Sequence, residues 1–261
     1  MKIRTGTLAE LKRQGKKFAC LTSYDQQTAE IFDSAGIEVI LVGDSASNTV
    51  LANDTTIPVT LAEMIPFGKA VARSAKDSLV IFDMPFGSYE EGDSQALANA
   101  IRVMKETGVA GVKVEGRRTA QIRALVEAGI PVMGHVGFTP QTVHSLSGYK
   151  VQGRNQDAEK VLSDAKAVEE AGAFAIVLEM VPADLAGEIT RSLSIPTIGI
   201  GAGNQTDGQI LVWTDFAGLG SRIPSFAKQY LNLRDQLEKA AAQYRTEVQT
   251  GVFPAIDHSF N

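Results

Sequence analysis

Short, almost wholly apolar runs alternate with amphipathic stretches along most of the chain. The runs predict strands near 18–24, 39–43, 79–83, 111–115, 132–136, 174–179, 196–200 and 210–214. Because these runs are apolar throughout instead of alternating with polar residues, they read as a parallel sheet covered on both faces. Apolar positions at helical spacing predict helices near 26–35, 61–75, 94–107, 118–128, 157–171 and 183–192, with a weaker segment at 203–209. Two capping-box patterns mark helix starts: Thr7-Leu8-Ala9-Glu10 for an N-terminal helix and Thr60-Leu61-Ala62-Glu63 for the helix after the second strand. Asp25, followed by Gln26-Gln27-Thr28, reads as a further N-cap. Three pairs, Ala35-Gly36, Ala128-Gly129 and Ala171-Gly172, stand just before strands, where glycine can close the preceding helix. The alternation predicts an α/β fold, a (β/α)8 TIM barrel with an N-terminal capping helix and a C-terminal helical extension. Residues 1–261 then form a single barrel domain, with 219–261 as its polar, helix-rich extension.

Composition narrows the function classes. The chain has 261 residues, and a single barrel typically needs about 250. A net charge of -5 and a sequence pI near 5.3 argue against nucleic acid as the main partner. The lone Cys20 has no intrachain disulfide partner, and the opening Met1-Lys2-Ile3-Arg4-Thr5-Gly6 lacks the apolar stretch of a secretory signal. No apolar run approaches the length of a membrane span, so cytoplasmic residence is expected.

Four of the apolar runs end on an acid: Asp44, Asp83, Glu115 and Glu179. A carboxylate against apolar neighbours is costly unless a cation or hydrogen bonds compensate it. In a parallel barrel all strand C-termini open on one face, so these acids are expected to share a site. Asp44, Asp83 and Glu115 fall on consecutive strands, and hard oxygen donors without a histidine or cysteine cluster suit Mg²⁺ better than zinc. The alternative, that each acid only caps a helix, is weak where Ser45-Ala46-Ser47-Asn48 and Pro85 follow. Glu179, expected across the barrel, is placed as a general base or as a structural ion pair. Lys113 alternates with Glu115 and so points into the barrel, where it needs an acid, a substrate carboxylate or an imine partner. His135 reads either as a site residue or as a satisfied polar group, while His144 and His258 have no such placement. Gly199-Ile200-Gly201-Ala202-Gly203 is either a phosphate cradle or a tight turn. Connections 46–59 and 137–156 are long enough to suggest function.

Taken with their surroundings, these residues resemble the ketopantoate hydroxymethyltransferase family, of the isocitrate lyase and phosphoenolpyruvate mutase superfamily of barrels. The resemblance rests on Leu21-Thr22-Ser23-Tyr24-Asp25, Val42-Gly43-Asp44-Ser45 with Pro58-Val59-Thr60, Asp83-Met84-Pro85-Phe86 and Val112-Lys113-Val114-Glu115-Gly116. It continues through Gly134-His135-Val136-Gly137, Gly148-Tyr149-Lys150-Val151-Gln152-Gly153-Arg154, Leu178-Glu179-Met180-Val181-Pro182, Ile198 to Gly203 and His258-Ser259-Phe260.

The resemblance implies an Mg²⁺-dependent enzyme of pantothenate biosynthesis that acts on 3-methyl-2-oxobutanoate and 5,10-methylenetetrahydrofolate to give 2-dehydropantoate. Asp44, Asp83 and Glu115 would hold Mg²⁺, and Glu179 would be the proton acceptor. Ser45 and Lys113 would bind the 2-oxo acid, with Asp44, Asp83 and His135 completing the substrate-binding set. The resemblance further implies a homodecamer built from pentameric rings, for which the apolar residues Phe226, Tyr230 and Phe253 of the extension are candidate contacts. Asn53, Thr214 and Arg222 depart from the family pattern, each standing where a histidine is usual. A C–C lyase or phosphonate mutase on another 2-oxo acid is the rival reading, and such relatives usually carry a catalytic cysteine loop. A barrel without activity, kept for binding or assembly, would instead show broken metal acids.

Overall fold

Each apolar run becomes a strand whose alternate side chains point into a barrel. A computed structural model describes residues 2–146, 148–155, 157–220 and 222–260. The chain divides into two compact units, Met1–Val212 and Trp213–Asn261. In the first unit the strands are β1 (Phe18–Thr22), β2 (Val39–Val42), β3 (Leu79–Asp83), β4 (Gly111–Glu115), β5 (Val132–Gly137), β6 (Ala175–Glu179), β7 (Thr197–Ile200) and β8 (Gly208–Leu211). They pair in sequence order, all parallel, and β8 closes on β1. The (β/α)8 barrel expected from the apolar pattern is therefore present.

Helices α1 (Thr5–Arg13), α2 (Gln26–Ser34), α3 (Ala46–Thr49), α4 (Leu61–Ser74), α5 (Asp93–Thr107), α6 (Thr119–Glu127), α7 (Asp157–Glu170) and α8 (Ala183–Ser192) complete this unit. Asp25 caps α2 by accepting from the Thr28 N–H at 2.9 Å, and Thr60 and Glu63 cap α4 reciprocally. The glycines of the three Ala-Gly pairs, Gly36, Gly129 and Gly172, all take positive φ, as a glycine closing a helix does.

Three local expectations are corrected. Thr7 is not the N-cap of the first helix: the cap is Arg4, three residues earlier, and its N–H donates to Thr7 Oγ1 at 3.1 Å. Glu10 is instead engaged along the helix by Arg13 and by the Gln14 side chain. No helix forms at 203–209, where polar side chains instead tie the loop to β8, β7 and α1. Thr206 Oγ1 donates to the Gly208 carbonyl at 2.8 Å, and Asp207 Oδ2 accepts from Thr197 N–H at 2.9 Å and from Lys12 Nζ at 2.8 Å. Finally, the last strand lies at Gly208–Leu211, upstream of 210–214. Trp213–Phe216 forms the short helix α9 instead.

The barrel interior has two chemical layers. On the N-terminal side Phe18, Cys20, Val39, Leu41, Leu79, Ile81, Met133, Ala175, Val177, Ile198 and Ile210 form one apolar cluster, joined by Leu8 of α1 with Ile3 and Leu11 beside it. The period of two then carries the same inward columns upward from Ile81 to Asp83, Met133 to His135 and Val177 to Glu179. Apolar floor and polar mouth thus follow from a single alternation.

In the second unit the Tyr230 N–H donates to the Phe216 carbonyl at 2.8 Å and the two rings stack with centroids 5.0 Å apart. Helix α10 (Leu233–Thr250) follows and has no buried residue. Phe226 and Tyr230 are exposed, and Phe253 is half-buried with its ring 5.6 Å from Tyr244.

Candidate active site

Asp44, Asp83 and Glu115 converge at the barrel mouth. One carboxylate oxygen from each lies within 4.8 Å of the other two, and all three residues are buried. Asp83 and Glu115 are the last residues of β3 and β4, while Asp44 lies just past β2, its N–H donating to Asp83 Oδ2 at 3.3 Å. Consecutive strands deliver consecutive acids, as the strand-end pattern predicts.

Lys113 lies among them. Its Nζ donates to both oxygens of Asp83 at 2.7 Å and to Glu115 Oε1 at 3.3 Å. Burial works against the ammonium, but Asp83, Glu115 and Asp44 outweigh it and hold Lys113 above the ordinary lysine range. Of the partners open to this lysine, the neighbouring acids are the ones it takes.

Glu179 ends β6, which stands opposite β2 in the closed barrel, and a histidine connects it with the acids. His135 on β5 stands between β4 and β6, with Nδ1 3.2 Å from Glu115 Oε1 and Nε2 3.3 Å from Glu179 Oε2. Both are ion-pair distances without the alignment of hydrogen bonds. Burial and Lys113 push the imidazole down, yet Glu115 and Glu179 raise it to about 9. Burial likewise raises Glu115, but Lys113 and His135 hold it at about 2. Glu179 therefore joins the acidic cluster through one imidazole. Its place is also set by Gly137, whose φ is +94° and where a Cβ would stand 2.4 Å from the Glu179 carbonyl oxygen.

The donor set fits a hard cation. Three buried carboxylates, all oxygen donors, face one ammonium and one imidazole. Asp44 bears the imbalance: burial, then Asp83 and Glu115, push its carboxyl well above the usual range, against the opposing pull of Lys113 and Gln141. Asp83 is also raised, by burial first and despite Lys113. A divalent ion between the three carboxylates would relieve this charge crowding.

Sequence reasoning missed the residues that hold the acids from behind. Gln141 Nε2 donates to Asp44 Oδ2 at 3.0 Å and to the Met84 carbonyl at 2.9 Å, and the Gln141 N–H donates to Glu115 Oε2 at 3.1 Å. Tyr89, fully buried, donates its hydroxyl to Gln141 Oε1 and accepts from the Glu115 N–H at 3.3 Å. Ser45 shares a 2.7 Å hydrogen bond with the Tyr24 hydroxyl. The only sequence signal for Gln141 was its Thr-Pro-Gln turn just past β5.

Other candidates fall outside the cluster. Cys20 is buried in the barrel floor. Gly199–Gly203 leads into the 201–207 loop with no helix before β8, so the dipole that would help a phosphate cradle is missing. Asn53 knits the 46–59 connection: its N–H donates to the Ser47 carbonyl at 2.9 Å and its Nδ2 to Ser47 Oγ at 3.1 Å. Thr214 is buried in α9 and Arg222 is exposed.

The model of the ketopantoate hydroxymethyltransferase family matches residues 2–256. The chain belongs to that family. Among its relatives, a 3-methyl-2-oxobutanoate hydroxymethyltransferase of Leifsonia xyli subsp. xyli is 59% identical, the match covering 99% of this chain and 95% of the relative. One of the same name from Mycobacterium sp. (strain KMS) is 56% identical over 100% of this chain and 93% of its own. Among solved structures, a phosphonopyruvate hydrolase in complex with oxalate and Mg²⁺ matches with TM-score 0.61 at 13% identity, covering 98% of this chain and 93% of the other. A 2,3-dimethylmalate lyase of the PEP mutase/isocitrate lyase superfamily matches with TM-score 0.58 at 15% identity, covering 100% and 93%. At such identities these structures share the fold, while the sequence relatives carry the family. Membership in an enzyme family with intact acids excludes the inactive barrel considered above.

Proposed function

We propose that this chain transfers a hydroxymethyl group from 5,10-methylenetetrahydrofolate to 3-methyl-2-oxobutanoate, giving 2-dehydropantoate, with Mg²⁺ held by Asp44, Asp83 and Glu115. The observation that carries the reading is the buried three-carboxylate cluster beside Lys113 and the His135–Glu179 pair, in a chain whose relatives bear that activity in their names. A bound Mg²⁺ would supply Lewis acidity toward the ketone and carboxylate oxygens of the oxo acid.

The chain's own groups divide the remaining work. The Tyr24-held Ser45 fixes the carboxylate end of the substrate, and Lys113, bound to Asp83 and Glu115, supplies positive charge beside it. Glu179, half-buried at the rim, takes the proton from C3. His135 stands 3.3 Å from that carboxylate and orients it. One water adds to the one-carbon unit and tetrahydrofolate leaves, and the C3 carbanion then adds to the formaldehyde so released, whose oxygen becomes the hydroxyl of the product. The 46–59 connection, tied internally by Ser47 Oγ donating to the Thr55 carbonyl at 2.7 Å, shields the reacting carbon from bulk water.

Assembly as a homo-oligomer, a decamer by family resemblance, and residence in the cytoplasm belong to the same reading. The exposed apolar residues of α10 support the first, and no described helix is long and apolar enough to cross a membrane.

Proton abstraction is testable alone. With 3-methyl-2-oxobutanoate and MgCl₂ in deuterated water, NMR should show exchange of the C3 proton, slowed about 100-fold or more in Glu179→Gln. No exchange by the parent protein, with or without folate, rejects the reading.

A further inference from the structure

Gln141 lies outside every strand, on a single 3-10 turn (Pro140–Thr142), yet it is 2% exposed and touches two of the three clustered carboxylates. Its side-chain amide has a determined orientation. The Met84 carbonyl can only accept, so the atom 2.9 Å from it must be the NH₂ group. The Tyr89 hydroxyl accepts from the Glu115 N–H, so its one proton is directed at Gln141 Oε1. Two independent contacts thus agree on which way the amide faces.

A chain of donors of fixed polarity results. It runs from the Glu115 N–H to Tyr89 and from Tyr89 to Gln141 Oε1, and the Gln141 NH₂ then spans the Met84 carbonyl and Asp44 Oδ2. The Gln141 backbone N–H meanwhile holds Glu115 Oε2. The remaining oxygens are allotted too. Glu115 Oε1 faces Lys113 and His135, and both oxygens of Asp83 face Lys113. Asp44 Oδ1 alone among the six carboxylate oxygens has no hydrogen bond from the described residues. Gln141 occupies Oδ2 and so leaves Oδ1 as the free oxygen of a carboxylate that lies within 4.8 Å of Asp83 and Glu115.

We infer that Gln141, oriented by Tyr89, is a positioning residue that aims the Asp44 and Glu115 carboxylates at a divalent cation. The inference rests on the metal reading above. Outer residues that hydrogen-bond metal ligands typically change metal affinity by about 10–100-fold when removed, and the backbone contact to Glu115 survives a side-chain change, so the effect belongs at the lower end of that range.

The test is Mn²⁺ binding to the full chain without either substrate, read from the electron paramagnetic resonance signal of free Mn²⁺. Gln141→Met keeps the volume and removes the amide; Gln141→Asn keeps the amide but is one methylene short of Asp44. Both should weaken Mn²⁺ about tenfold, with metal-free melting within a few degrees of the parent. A folded Gln141→Met protein that binds Mn²⁺ within twofold of the parent overturns the inference. If that variant does not fold, Gln141→Asn decides by the same criterion. A parent protein that binds no Mn²⁺ overturns the metal reading itself, which separates the two failures.

Discussion

Lys113 shows how far single residues were legible. Its alternation with Glu115 is enough to place it inside the barrel, and burial then demands an anion. Asp44, Asp83 and Glu115 were legible for a similar reason, since an acid ending an apolar run has few inexpensive places to go. Gln141, Tyr89 and Tyr24 were not, because an amide or a phenol costs little in a loop and acquires its role only when distant strands meet. Removing the Lys113 ammonium leaves buried carboxylates uncompensated, and breaking such a pair costs about 3–5 kcal/mol. Thermal melts of Lys113→Met should show that loss without divalent ions and a partial recovery on adding MgCl₂.

At the scale of elements, periodicity placed seven of the strands within two residues of their observed bounds, and its failures share a cause. Thr7, Thr206 and Asp207 are polar residues whose side chains bind backbone in ways that spacing alone does not select. Asp33, at the end of α2, is another. Its Oδ1 accepts from the N–H groups of Asp77 and Ser78 at 3.0 and 2.7 Å, and its Oδ2 from that of Lys76 at 3.0 Å, pinning the approach to β3. Burial raises this carboxyl, but the donors from Ser78, Lys76 and Asp77 outweigh it and hold Asp33 below the usual range. Because the folded value is the lower one, the stabilisation is full above the unfolded value of about 3.9. It fades as pH falls through the folded value. Asp33→Asn should therefore cost about 1–2 kcal/mol at pH 7, and denaturant titrations should show the gap closing as pH falls below the unfolded value of about 3.9.

At the scale of the whole molecule, the barrel was legible from length and alternation, whereas assembly was not, because an exposed face has no partner within one sequence. Leu237, Tyr244 and Val248 lie on α10 at spacings of seven and four, one apolar stripe that stays exposed among the described residues. Light scattering should give a mass several times 27.8 kDa, and Tyr244→Glu with Val248→Glu should lower it while the barrel stays folded.

The reaction itself is the most direct test. Purified protein, 3-methyl-2-oxobutanoate, 5,10-methylenetetrahydrofolate and MgCl₂ are followed together by proton NMR. The expected result is loss of the C3 methine and growth of the 2-dehydropantoate hydroxymethyl signal, stopped by EDTA and restored by excess MgCl₂. A folded protein that leaves the oxo acid unchanged in the presence of Mg²⁺, or that converts it equally well in EDTA, would contradict the assignment of Asp44, Asp83, Glu115 and Glu179 to this chemistry.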